Sequence, residues 1–168
     1  MKIPLETERL IINRLKEDDK VDYFNNISHD KKVLETFICG YQETLDDFDF
    51  SKYLNKDSIF AIRLKDSGRL IGILTKYLVN GKEIEIGYGI GSSYWNKGYT
   101  TEAVKMFIKY LFEEENFETV YASCFTNNPS SKRVMEKVGM TYSHTNLNEL
   151  EYLGISRDLI YYRIDKQK

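Results

Sequence analysis

Residues 84–103 read Ile-Glu-Ile-Gly-Tyr-Gly-Ile-Gly-Ser-Ser-Tyr-Trp-Asn-Lys-Gly-Tyr-Thr-Thr-Glu-Ala. A strand pattern feeds a glycine-containing turn, and the turn opens an amphipathic helix. Backbone N–H groups at a helix start lack intrahelical acceptors, and the helix dipole adds partial positive charge there. Such a start binds phosphate oxygens, and Gly98 lets the backbone approach a ligand closely. The stretch therefore fits a phosphate-bearing ligand, and it also fits a plain tight turn. Two other phosphate motifs are missing. No Gly-x-x-x-x-Gly-Lys-Ser/Thr run occurs, and Gly87-x-Gly89-x-Gly91 misses the Gly-x-Gly-x-x-Gly spacing of dinucleotide sites. Cys39, Cys124, His29 and His144 are isolated from one another in sequence, so no metal site is expected.

The elements that must position this turn can be read from periodicity. Leu10 to Leu15 reads as a strand, and Glu17-Asp18-Asp19 opens a helix carrying Val21, Phe24 and Ile27. Residues 30–56 have scattered apolar positions, read as one or two helices joined by loops. Strands follow at Phe60 to Leu64, Leu70 to Leu78 and Lys82 to Ile90, the last two joined at the hairpin signal Asn80-Gly81. Ala103/Val104, Phe107/Ile108 and Leu111/Phe112 recur every four residues, which predicts a long helix starting near Thr100 or Thr101. Thr119 to Phe125 reads as a buried strand. Asn128-Pro129 is an N-cap followed by proline at the first helical position, and Gly139 stops that helix. Strands around Met140 to His144 and Leu159 to Ile164 complete a mixed α+β layer fold in one domain, residues 1–168.

Composition narrows the function classes. The 168 residues carry 24 Lys and Arg against 26 Asp and Glu, a net charge of −2, so bulk charge makes no nucleic-acid platform. The longest apolar runs, such as Leu70 to Leu74, fall far short of the roughly 18 residues of a membrane span. The N-terminus turns acidic before any apolar stretch develops, unlike a secretory signal. With two widely separated cysteines and no disulfide framework, the expected location is the cytoplasm.

The residues from Glu85 to Gly91 and from Tyr94 to Ala103 resemble the GNAT superfamily of acyl-CoA-dependent N-acetyltransferases. They are most similar to the branch of ribosomal-protein N-terminal acetyltransferases, whose pattern is Glu-Ile-Gly-Tyr-x-Ile-Gly followed by Tyr-Trp-Gly-Lys-Gly-Tyr-Ala-Thr-Glu-Ala. Leu5 to Leu10, Asn128 to Ser131 leading into Val134 to Gly139, and Asp158 to Tyr162 also resemble that branch. The resemblance implies the GNAT fold: a central, mostly antiparallel twisted sheet of about six to seven strands, splayed at the cofactor site, with helices on both faces. It implies acetyl-CoA as co-substrate. The pantetheine arm is expected along Tyr88, Gly89 and Ile90, and the pyrophosphate on the loop Trp95, Asn96, Lys97, Gly98, Tyr99 and Thr100, with Thr101 beginning the helix. Asn128 is expected to hydrogen-bond the cofactor arm as well as cap its helix. Asn96 and Thr100 depart from the family's small residues; Asn tolerates left-handed backbone angles, so the loop survives the change.

Acetyl transfer needs a neutral amine, a stabilised oxyanion and a protonated leaving thiolate. Many superfamily members use a helix tyrosine as the acid, at the position where this chain has Met135. The closer branch points instead to Ser131, and to a carboxylate before the last strands. Glu151 matches that carboxylate with a one-residue length difference, and Glu149 is close by. Glu85 is an equal candidate base, while Glu83 reads as a solvated charge. Tyr41, Trp95 and Tyr99 are candidates for the acceptor path, and Lys132 or Arg133 for the CoA 3′-phosphate. About a tenth of an α-amine is neutral at pH 7, against roughly 0.04% of a lysine side chain. An N-terminal amine therefore asks less of a general base, and the resemblance to N-terminal acetyltransferases implies a protein or peptide N-terminus as the acceptor. A small amine (polyamine, amino acid or aminoglycoside) is the alternative, and a non-catalytic acyl-CoA-binding module a third reading. No nucleic acid or membrane partner is expected, and either a monomer or a homodimer is compatible with the sequence.

Overall fold

A computed structural model describes residues 3–168. Its strands are β1 (Leu5–Glu6), β2 (Leu10–Arg14), β3 (Ile59–Leu64), β4 (Leu70–Asn80), β5 (Glu83–Ile90), β6 (Thr119–Phe125), β7 (Thr141–Tyr152) and β8 (Ile155–Asp165). Its helices are α1 (Lys20–Tyr23), α2 (Lys31–Leu34), α3 (Tyr99–Glu113) and α4 (Pro129–Lys137). The strand order is β1-β2-β3-β4-β5-β6-β8-β7. The β5–β6 pair runs parallel, whereas β1–β2, β2–β3, β3–β4, β6–β8 and β7–β8 are antiparallel. This is the mixed, mostly antiparallel sheet expected. Among the described residues it has eight strands rather than six to seven, because the two-residue β1 is too short to leave an alternating pattern.

The chain forms two compact units. One runs up to Thr75 and resumes over Tyr88–Met106; the other comprises Lys76–Gly87 and Phe107–Lys168. In the first, Tyr23, Phe24, Phe48 and Phe50 pack with Leu15, Ile27 and Leu70. The Tyr23 ring lies 5.8 Å from Phe48 and 5.3 Å from Phe50. Burying each such ring contributes about 1.5–3 kcal/mol. The helix expected after Glu17 is broken into a 3-10 turn at Glu17–Asp19, α1, and a π turn at Phe24–Ser28. The wider π turn keeps Phe24 and Ile27 both buried, while Val21 turns out to solvent. Asp19 closes the start of the first turn as part of a capping box and also reaches across to β3. It accepts from the Lys16 amide at 2.8 Å and makes a bidentate pair with Arg63, at 2.5 and 2.6 Å. Residues 30–56 contain only α2 and a 3-10 turn at Ser51–Tyr53, with irregular chain between them.

In the second unit the apolar stripe of α3 buries Phe107, Ile108 and Leu111, as its four-residue recurrence dictates. Val120, Ala122 and Cys124 of β6 are buried, and the residues between them, Tyr121 and Ser123, are half-buried. The last two strands run longer than expected. They continue to a turn at Leu153–Gly154, where both residues take positive φ, 53° and 73°.

Candidate active site

The phosphate-loop candidate lies wholly in the first unit. β5 ends at Ile90, a 3-10 turn follows at Ser92–Tyr94, and α3 starts at Tyr99, one or two residues before the expected start at Thr100 or Thr101. Trp95, Asn96, Lys97 and Gly98 are exposed, and Tyr99, Thr100 and Thr101 are half-buried at the helix start. Asn96 takes φ 60° and Gly98 φ 79°, so the asparagine does adopt the left-handed angles. The Glu102 amide donates to the Gly98 carbonyl at 3.1 Å, the first helical bond. The amides of residues 99–101 precede it, which is the donor set an anion needs.

Side chains hold this loop in place. The Trp95 indole N–H donates to the Ile90 carbonyl at 2.8 Å, which ties the loop to the end of β5. Asp30 caps α2 with one oxygen and accepts from the Ser92 amide at 2.8 Å with the other. Arg9, from the segment between β1 and β2, donates to the Lys97 carbonyl and pairs with Glu102. Burial pushes the Glu102 carboxyl up, but hydrogen bonds from Thr7 and from the amide and guanidinium of Arg9 outweigh it and hold the carboxyl below its usual value. A Cβ built on Gly89 would sit 2.9 Å from the Phe37 ring, so only glycine fits there at this spacing. Of the expected pantetheine-facing residues, Ile90 thus has its carbonyl engaged by Trp95. Tyr41 stacks on His29 at 5.5 Å, a packing contact.

The candidate acid–base groups lie in the second unit. Glu85 is half-buried on β5, and the Ser123 hydroxyl donates to its Oε1 at 2.9 Å. Burial raises the Glu85 carboxyl above its usual value; the Ser123 bond pulls it down, the Glu149 charge pushes it up and His144 pulls it down. Tyr161 donates to Glu149 Oε1 at 3.3 Å and stacks on His144 at 4.5 Å. Its phenol is pushed up to about 12 by burial and by the charges of Glu85 and Glu149. The pairing Ser123↔Tyr161 and His144↔Tyr161 explains the assembly: neighbouring strands present these side chains on one face. Glu149, rather than Glu151, joins the Glu85 network. Glu151 is exposed and paired in register with Ser156 near the hairpin turn.

Asn128 caps α4, its Oδ1 accepting from the Ser131 amide at 3.1 Å. Burial drives the Cys124 thiol to about 11, against a hydrogen bond from Ser131 that lowers it. Met135 is fully buried, so this position packs the core and carries no proton. Lys132 is exposed and 4.0 Å from Glu136, and Arg133 is exposed. Ser123, Tyr161, Arg9 and Asp30 were not singled out in the sequence. Only the register of β6 with β8 brings Ser123 to Tyr161, and Arg9 meets a residue 93 positions away. Among the described residues no group of three or more His, Cys, Asp or Glu could hold a metal ion. No helix among them is long and apolar enough to cross a membrane.

Residues 9–141 match the acetyltransferase (GNAT) domain family. The uncharacterized N-acetyltransferase YnaD of Bacillus subtilis is 31% identical over 142 residues, covering 81% of each chain. The putative ribosomal N-acetyltransferase YdaF of the same organism is 29% identical over 130 residues, covering 76% of this chain and 70% of that one. A GNAT-family acetyltransferase from Bacillus anthracis superposes with a TM-score of 0.83 at 28% identity, covering 96% of this chain and 97% of that one. The GNAT fold takes its acetyl group from acetyl-CoA. The chain belongs to the GNAT family as an N-acetyltransferase.

Proposed function

We propose that residues 1–168 act as one acetyltransferase domain that transfers the acetyl group of acetyl-CoA to a protein or peptide α-amine by direct attack in a ternary complex. The observation that carries the reading is the Glu85 carboxylate, raised by burial yet held by Ser123. Its raised proton affinity suits a base for an ammonium that is already near its own pKa. The similarity to a relative named as a putative ribosomal N-acetyltransferase supports the acceptor class.

In this reading the amides and side chains of Asn96, Lys97, Gly98, Tyr99, Thr100 and Thr101 take the pyrophosphate, Trp95 anchors their loop through its bonds to Ile90 and Ser92, and the backbone of Tyr88, Gly89 and Ile90 takes the pantetheine arm. Asn128 bonds the arm through whatever capacity its cap role leaves. Glu85 takes the proton from the acceptor ammonium. The amine nitrogen bonds to the thioester carbonyl carbon and the C–S bond breaks; Ser131 gives its hydroxyl proton to the departing thiolate and regains one from the newly bonded nitrogen, which sheds its surplus proton. Glu151 is the alternative base.

Thiol release from acetyl-CoA tests this with three acceptors: a peptide with a free N-terminus, the same peptide N-blocked but bearing lysine, and spermidine. Turnover of the free N-terminus alone supports the reading. Preference for spermidine or for the blocked peptide overturns the acceptor class, and cofactor binding without any release indicates the non-catalytic module. Glu85→Gln and Ser131→Ala should each lower kcat with little change in acetyl-CoA affinity; an unchanged kcat removes that residue's role.

A further inference from the structure

The loop proposed to hold the pyrophosphate is gripped from behind by one side chain that lies outside it. Arg9 donates from its backbone amide to Glu102 Oε1 at 2.9 Å and from Nε to Glu102 Oε2 at 2.8 Å. Its Nη2 lies 2.7 Å from the same Oε2, and its Nη1 donates to the Lys97 carbonyl at 2.9 Å. The guanidinium carbon stands 4.4 Å from the centre of the Tyr99 ring. Thr7 completes the set, its hydroxyl donating to Glu102 Oε1 at 2.6 Å and accepting from the Leu10 amide at 2.9 Å.

Two consequences follow from elementary geometry and charge. A trans peptide points its C=O and the next N–H in opposite directions. By drawing the Lys97 carbonyl toward itself, Arg9 aims the Gly98 N–H the other way. The left-handed φ of 79° at Gly98 lets the chain continue into α3 from that peptide plane. Glu102 also lies in the first turn of α3, where a bare carboxylate would oppose an incoming diphosphate. The Arg9 guanidinium, in two-pronged contact with it, cancels that charge.

Resting on the phosphate-loop reading, we infer that Arg9 is a positioning residue for cofactor binding: it sets the peptide plane before Gly98 and neutralises Glu102, so that the loop amides face a diphosphate. Its effect is therefore confined to donors that carry the diphosphate. Arg9→Lys keeps the charge but loses the planar fork that serves the carbonyl and the carboxylate together.

The test measures acetyl-CoA binding by calorimetry, and turnover with acetyl-CoA and with S-acetylpantetheine, which lacks the diphosphate. Arg9→Ala should weaken acetyl-CoA binding roughly tenfold, the worth of a lost charge-assisted hydrogen bond. Its kcat/KM with S-acetylpantetheine should stay within about twofold of wild type. Arg9→Lys should fall between the two proteins, and Glu102→Gln should bind acetyl-CoA at least as tightly as wild type. Acetyl-CoA affinity unchanged in Arg9→Ala overturns the inference, as does an equal loss with both donors or a Glu102→Gln that weakens binding as Arg9→Ala does. Should Arg9→Ala fail to fold, Arg9→Lys and Glu102→Gln decide the matter. Wild-type protein that binds no acetyl-CoA overturns the phosphate-loop reading itself, a result distinct from all of these.

Discussion

Replacing Ser123 by alanine removes the hydroxyl that donates to Glu85 Oε1 at 2.9 Å and leaves the carboxylate otherwise in place. A hydrogen bond to a charged acceptor is worth about 1.5–3 kcal/mol when fully desolvated. Glu85 is only half-buried, so solvent screening brings the figure to about 1 kcal/mol, or about fivefold in a protonation equilibrium. Burial already raises this carboxyl, and losing the Ser123 bond raises it further. A general base works ionised, so the loss falls on the acid limb of the pH profile. We expect kcat/KM of Ser123→Ala to be about fivefold below wild type on that limb and equal to it on the plateau. Glu85→Gln should lose the limb altogether. The assay is thiol release from acetyl-CoA across the pH range at subsaturating acceptor. An acid limb in the same place in Ser123→Ala and wild type would refute the assignment of Glu85 as base, and so would a plateau loss with no change in the limb.

The Asp19–Arg63 pair lies almost fully out of water, so Asp19→Ala leaves a buried guanidinium without its carboxylate. The expected cost is about 3–5 kcal/mol, read as a melting temperature lower by roughly 6–20 °C. Gly98→Ala forces a side chain into φ 79°, with its Cβ 3.4 Å from Arg9 Nη2. The left-handed strain of about 1–2 kcal/mol should appear as severalfold weaker acetyl-CoA binding in a calorimetric titration. Glu85→Gln should also change stability with pH. Because the folded state raises this carboxyl, its ionisation costs stability as pH rises from the usual carboxylate range through the raised value. The glutamine variant should therefore melt higher than wild type at neutral pH and equal to it well below the carboxylate range.

The parts of the fold that follow a simple period were legible from residue order. The α3 stripe of Phe107, Ile108 and Leu111 and the Asn128 cap before Pro129 lie where their chemistry predicts, and the turn between β4 and β5 falls at Gly81-Lys82, one residue beyond the expected Asn80-Gly81. Residues 30–56 were not legible, because their burial rests on the packing of Phe48 and Phe50 against Tyr23 and not on a repeating helical face. The π turn at Phe24–Ser28 also shifts the spacing that a helical reading assumes. The loop of the candidate site could be read from its motif, since the role proposed for it depends on backbone amides at a helix start. Its supports could not: Arg9 and Glu102 meet across the fold with no local signal. The acid–base network shows the same limit. The register shift in β7 between Asn146 and Leu150 contains Glu149 and comes just before Glu151, so counting from a family pattern could not separate the two.

The central claim is that this chain binds acetyl-CoA through the loop that opens α3. Thermal unfolding with acetyl-CoA, CoA, NAD and ATP tests it most directly, since a ligand that binds only the folded state raises the melting temperature by mass action. The account predicts an upward shift with acetyl-CoA and with CoA that saturates with concentration, no shift with NAD or ATP, and a smaller acetyl-CoA shift in Gly98→Ala. No shift with acetyl-CoA, or an equal shift with ATP, would contradict it.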